Sequence, residues 1–176
     1  MKVTVFGGAS AQPGDWIYQE AQRLGLLLAQ SGHTVLTGGY MGTMEAASRG
    51  AAEGGGHVIG VTCSEIDRWR NAKANPWVKE EWKVETLMDR LRLLMDSAEV
   101  ALALPGGSGT LAEIALLWNR MIIAAIPARP LILIGEGWQT TFTTLLKEQS
   151  PYIGEPQRRL LTFAPTVEAA VALIAH

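Results

Sequence analysis

Nine consecutive residues, Pro105-Gly106-Gly107-Ser108-Gly109-Thr110-Leu111-Ala112-Glu113, concentrate the residue types from which a phosphate site is built. Glycine tolerates close backbone approach and positive φ, so successive N–H groups can turn toward one anion. A helical pattern follows at once, and a helix N-terminus favours negative charge. Two more glycine turns occur earlier, Gly7-Gly8-Ala9-Ser10 and Gly38-Gly39-Tyr40-Met41-Gly42-Thr43. Gly8, Ser10, Gly38, Gly39, Gly42, Thr43, Gly106, Gly107, Ser108, Gly109 and Thr110 are therefore candidate phosphate or nucleotide contacts. The competing reading, that these are ordinary tight turns between strand and helix, stays open.

Two charged residues could act beside such a loop. Glu113 lies near the start of the helix expected to open at Thr110. There its carboxylate can be a general base, or a stabiliser of a cationic sugar, kept ionised by the helix N-terminus. Equally, Thr110-Leu111-Ala112-Glu113 has the spacing of a capping box, in which the carboxylate only satisfies a backbone N–H. Arg90 precedes the same strand on a helical stretch. Its alternative role is a solvent-facing salt bridge with Asp89 or Asp96, and Arg92, two positions on, faces another side. Other chemistries find little support. There is no G-x-x-x-x-G-K-[ST], and Gly107-Ser108-Gly109-Thr110-Leu111-Ala112 fits G-x-G-x-x-A without the acidic residue a dinucleotide needs about 20 positions later. His33, His57 and His176 have no metal-ligand spacing with Cys63, so no metal is expected.

The elements that must position these groups follow from periodicity. Short apolar runs at 3–6, 34–37, 57–61, 100–104, 131–134 and 160–163 alternate with helical patterns at 16–30, 43–53, 85–97, 110–124, 138–149 and 167–175. That alternation predicts an α/β fold with a mainly parallel sheet and helices on both faces. All three glycine turns then fall at the carboxyl ends of strands, where such sheets bind ligands. Residues 62–83 break the rhythm. They hold Trp69, Trp77 and Trp82 without a clear period, and read as a functional excursion, for instance a lid over a bound base, or as a flap packing its own tryptophans.

The length of 176 residues predicts a single domain, 1–176, and the formal net charge of -2 argues against a nucleic-acid partner. One cysteine excludes an intrachain disulfide and points to a reducing, cytoplasmic setting. Met1-Lys2 leads straight into a strand pattern rather than a secretory leader, and Asn119 and Arg120 interrupt the most apolar helix, so no membrane association is expected. The apolar side chains Leu117, Trp118, Met121 and Ile122 of that helix suggest a homodimer or higher homo-oligomer.

The nine-residue stretch resembles the P-G-G-x-G-T-x-x-E signature of the LOG (Lonely Guy) family. The resemblance extends through the turn from Gly38 to Met44, the glycine-rich segment 47–61 and the first turn at 5–10, covering most of residues 3–125. It implies a Rossmann-like, doubly wound fold, usually homodimeric. It also implies an Arg90–Glu113 catalytic pair and a nucleoside 5′-monophosphate held through its phosphate by residues 106–110. The implied reaction hydrolyses the N-glycosidic bond of a purine nucleotide, such as AMP or a cytokinin nucleotide, to free base and ribose 5-phosphate, with no cofactor. Three positions depart from the family pattern: Leu91 replaces a lysine after the arginine, Leu87 and Met88 shift a methionine, and Gly60-Val61-Thr62-Cys63 lacks a proline. Relatives sharing the signature resemble molybdenum cofactor carriers, which bind without chemistry, so a carrier is the alternative. Lysine decarboxylase activity is not expected, because none of Lys2, Lys73, Lys79, Lys83 or Lys147 sits at a glycine turn to form a Schiff base.

Overall fold

Apolar strand segments and amphipathic helices alternate along the chain, and the computed structural model, which describes residues 1–174, assembles them into one sheet. In chain order the elements are β1 (Lys2–Phe6), α1 (Trp16–Gln30), β2 (Thr34–Thr37), α2 (Thr43–Glu53), β3 (Val58–Cys63), α3 (Ser64–Arg70), β4 (Glu80–Val84) and α4 (Leu87–Asp96). β5 (Val100–Ala103), α5 (Ser108–Ile122), β6 (Leu131–Ile134), α6 (Glu136–Glu148), α7 (Glu155–Arg158), β7 (Thr162–Ala164) and α8 (Val167–Ala172) follow. The strand order is β4-β3-β2-β1-β5-β6-β7, with every pairing parallel. The chain winds outward from β1 in one direction, then returns to β5 and winds in the other. The junction of β1 and β5 is therefore the topological switch point, where α/β sheets open a crevice for ligands.

Both faces of the sheet are covered, which is why its central strands read as unbroken apolar runs. On one face Val3, Val5, Val35, Val58 and Leu102 pack against Leu24 and Leu28 of α1, Ala47 of α2 and Ala170 of α8. On the other, Phe6, Val61, Ala103 and Leu133 meet Leu94 of α4, Ile114 and Leu117 of α5, and Phe142 of α6. Glycine brings α1 and α2 to backbone contact: a Cβ on Gly50 would sit 1.8 Å from the Gln22 carbonyl oxygen, and one on Gly25 2.0 Å from that of Ala47.

Three expectations need correction. The excursion at 62–83 contains regular structure: β3 runs on to Cys63, α3 follows, and β4 adds a parallel edge strand. Its tryptophans do not pack on one another. Trp69 is exposed beside Arg70, Trp77 lies under Arg49, and Trp82 donates to Glu80. Second, α5 opens at Ser108 rather than Thr110. Third, Leu117, Trp118 and Met121 are buried within this chain, Trp118 edge-on to Phe142, so they are not free to pair two copies. α8 ends at Ala172, and the last residue expected in that helix, Ala175, lies outside the described residues, as does His176. Among the described residues no helix is long and apolar enough to cross a membrane.

Candidate functional site

The three glycine turns meet at the switch point. The Gly8 N–H donates to the Pro105 carbonyl at 3.4 Å, and the Gly8 carbonyl accepts from the Thr43 N–H at 2.9 Å and the Thr43 hydroxyl at 3.1 Å. Gly42 has φ 73°, and a Cβ there would lie 2.5 Å from the Gly8 oxygen, so a side chain would wedge the first two turns apart. A Cβ on Gly106 would meet the Thr110 hydroxyl at 2.2 Å. The first turn is thus clamped between the second and the third.

The turns differ in what they leave open. Gly38, Gly39, Gly42 and Thr43 are buried and hold the crevice together, whereas Ser10, Gly106, Gly107, Ser108 and Gly109 face solvent. Nothing stands within 4 Å of a Cβ built on Gly107 or Gly109. Gly107 is the N-cap of α5 and supplies no capping side chain, and the first ladder bond runs from the Leu111 N–H to the Gly107 carbonyl. The N–H groups of Ser108, Gly109 and Thr110 therefore have no partner within the helix and sit at its positive end. This is the geometry of an anion site.

Glu113 is the sixth residue of α5, not the third, so the capping-box reading does not hold. The side chain is 9% exposed, and burial pushes its carboxyl up to about 7, with the Arg90 charge pulling the other way. Ionisation favoured by the helix N-terminus was the expectation. Desolvation outweighs it, because the dipole's influence fades beyond the first turn. A carboxyl poised near neutrality can both accept and return a proton.

Arg90 is 5% exposed and lies inside the fold rather than on its surface. Its Nε–H donates to the Val61 carbonyl at 2.7 Å, and Nη2 donates to the Gly38 carbonyl at 2.9 Å with the Met44 sulfur 3.8 Å away. The guanidinium fills the space that a side chain at Gly38 would need, since a Cβ there would lie 1.8 Å from Nη2. The expected surface pairings go to other arginines: Arg92 takes Asp89, and Arg120 takes Asp96. Among the described residues no group of three or more His, Cys, Asp or Glu is placed to hold a metal ion.

Two supporting residues escaped the sequence reading. The Tyr40 ring lies 5.5 Å from the Arg90 guanidinium carbon. Asn75, buried, donates from its side chain to the carbonyls of Gly39 at 3.0 Å and Tyr40 at 2.9 Å, and from its backbone N–H to Gly39 at 2.8 Å. Its side-chain Oδ1 accepts from the Trp77 N–H, an Asx turn over Pro76. Asn-Pro was the legible signal for that turn, but its target was not.

An all-parallel, doubly wound sheet with an open glycine turn at its switch point, and a buried arginine and glutamate beside it, defines a Rossmann-like protein. The chain belongs to the SLOG cluster4 family, whose model matches residues 1–155. It is 30% identical over 177 residues to the cytokinin riboside 5′-monophosphate phosphoribohydrolase LOG of Oryza sativa subsp. japonica, covering 97% of this chain and 71% of that one. Among solved structures it is similar to the molybdenum cofactor binding protein of Rippkaea orientalis, with TM-score 0.76, 26% identity, and 98% and 94% of the two chains covered. The molybdenum cofactor carrier protein of Chlamydomonas reinhardtii matches with TM-score 0.73 and 25% identity over the same shares.

Proposed function

We propose that the chain hydrolyses the N-glycosidic bond of a purine nucleoside 5′-monophosphate, AMP or a cytokinin nucleotide, releasing free base and ribose 5-phosphate. One observation carries this reading: a buried carboxyl near neutrality, under the influence of a buried guanidinium, one to two helical turns beyond an open anion loop. The 5′-phosphate sits on the N–H groups of residues 108–110, with Ser10 at the rim. The C1′–N bond then breaks through an oxocarbenium-like state, which the ionised Glu113 stabilises. Water adds to C1′, its proton passes to the carboxylate, and the departing base takes up a proton in turn. Arg90 supplies positive charge beside Glu113. Incubation with AMP and modified adenine nucleotides, with detection of free base, tests the reading; nucleotide bound but left intact in every case overturns it.

The phosphate part has its own test. Ser108→Asp adds a negative charge at the first turn of α5, where it suits the helix but repels a phosphate. Affinity for AMP or ribose 5-phosphate is expected to fall by about tenfold or more, with the melting temperature unchanged because Ser108 is exposed. Equal affinity for both proteins, by calorimetry, would remove the phosphate from this loop.

A carrier is the second reading. It is favoured by the near-complete overlap with two proteins named for the molybdenum cofactor and by Leu91 where a lysine follows the family's arginine. Binding of a phosphorylated pterin without base release from any nucleotide would select it. On either reading we propose a cytoplasmic homo-oligomer, now through the exposed side chains of Leu87, Met88, Leu111 and Ile123. The mass in solution is expected to be a multiple of 19.0 kDa, and a single-chain mass by sedimentation would refute it.

A further inference from the structure

The contacts of Arg90 lead to a residue outside the arginine–glutamate pair. Two carbonyls fix one edge of the guanidinium, and Met44 flanks it. Its central carbon lies over the ring of Tyr40, 5.5 Å from the centroid, and Tyr40 is itself 2% exposed. The tyrosine cannot drift, because its hydroxyl is tied at both ends: it accepts from the Cys63 N–H at 2.8 Å and donates to the Asp67 carboxylate at 2.7 Å. Burial raises the phenol above its ordinary value, so the hydroxyl keeps its proton and the donation to Asp67 persists. Asp67 is held in turn by Lys83 of β4 at 2.6 Å. Asn75 grips the Tyr40 backbone from the other side. The segment between β3 and β4 therefore acts on the second glycine turn, and through it on the arginine.

We infer that Tyr40 is a positioning residue for Arg90, its ring setting the guanidinium against the crevice while α3 and Asn75 hold the ring in place. The idea rests on the proposed hydrolysis for its kinetic consequence, but not for its structural one. A cation over an aromatic face within about 6 Å is attracted to it, more strongly where water is excluded. Residues 64–79 then act as a brace for the arginine.

Two variants isolate the ring. Tyr40→Phe and Tyr40→Leu both lose the hydroxyl bonds to Cys63 and Asp67, so that loss does not distinguish them. Only Tyr40→Leu loses the aromatic face. Solvent exchange of the Arg90 Nε–H, measured by NMR, reads the positioning, because a guanidinium that leaves the Val61 and Gly38 carbonyls exchanges faster. Exchange is expected to stay near the wild-type rate in Tyr40→Phe and to become faster in Tyr40→Leu. For base release from AMP, kcat is expected to fall by about 10²-fold in Tyr40→Leu with KM held within about twofold, and far less in Tyr40→Phe. If Tyr40→Leu does not fold, Tyr40→Met, which fills similar space without a ring, takes its place. An Arg90 Nε–H exchange rate that is the same in the phenylalanine and aliphatic variants overturns the inference. A wild-type protein that releases no base overturns the hydrolysis instead, and leaves the NMR comparison to decide Tyr40.

Discussion

Glu113→Gln is expected to abolish base release, by at least about 10²-fold in kcat, and at the same time to make the protein more stable above pH 7. The two effects share one cause. Burial pushes the carboxyl from its ordinary 4.5 up to about 7. In the unfolded chain it ionises near the ordinary value, whereas in the folded chain it stays protonated until pH approaches 7. Folding stability from this group is therefore fully present below about 4.5 and is lost as pH rises through about 7. At about 1.4 kcal/mol per tenfold in proton affinity, the loss amounts to ~3 kcal/mol. Glutamine fills the same space without ever ionising, so the variant escapes that loss. Its melting temperature should match wild type near pH 4 and exceed it at pH 8. Thermal unfolding across that range, alongside adenine release from AMP, reads both halves. A wild-type stability that stays level relative to the glutamine variant between pH 5 and 8 would mean that Glu113 is already ionised in the fold at pH 5, and the near-neutral carboxyl would be refuted.

Arg90→Lys is expected to lose about 10²-fold in base release and to destabilise the fold, although the charge is kept. The reason is geometric. The guanidinium satisfies the Val61 and Gly38 carbonyls with two different nitrogens. An ammonium is a single point on a flexible stem and cannot reproduce that fork. A buried carbonyl left without a donor costs about 1–3 kcal/mol, which chemical denaturation can measure. Arg90→Met goes further by removing the charge. Glu113 then loses the one influence that lowers its proton affinity, so the pH at which activity rises should move upward. Wild-type turnover in Arg90→Lys would reduce the arginine to a packing residue.

Much of the scaffold was legible because it depends on local pattern. α1 and α2 have the predicted bounds, and the strands of the core lie within two residues of their apolar runs. The misses have identifiable causes. β4, Glu80-Glu81-Trp82-Lys83-Val84, carries three charged residues in five. It is a strand because β3 offers it a hydrogen-bonding edge, and charge on an outer edge guards against pairing with other chains. α3 is short, with no buried side chain, so it leaves no apolar stripe to find. The two-residue error at the start of α5 arose from reading Thr110 as a cap. Gly107 takes that position, and Thr110 is buried against Gly106 instead.

The open glycine loop and the family it belongs to were written in the residues of the loop itself, because glycine leaves the backbone N–H groups uncovered by side chains. The state of the two charged residues beside that loop was not. Whether Glu113 is ionised and whether Arg90 faces solvent depend on how much water the surrounding elements exclude, and those elements come from distant parts of the chain. Arg90 is held by carbonyls 29 and 52 residues away in sequence, and Glu113 is shifted by burial and feels the charge of Arg90, 23 residues before it. Local spacing could nominate both residues. Only the packed tertiary structure, by removing water from around them, turned one into a near-neutral acid and the other into an internal donor.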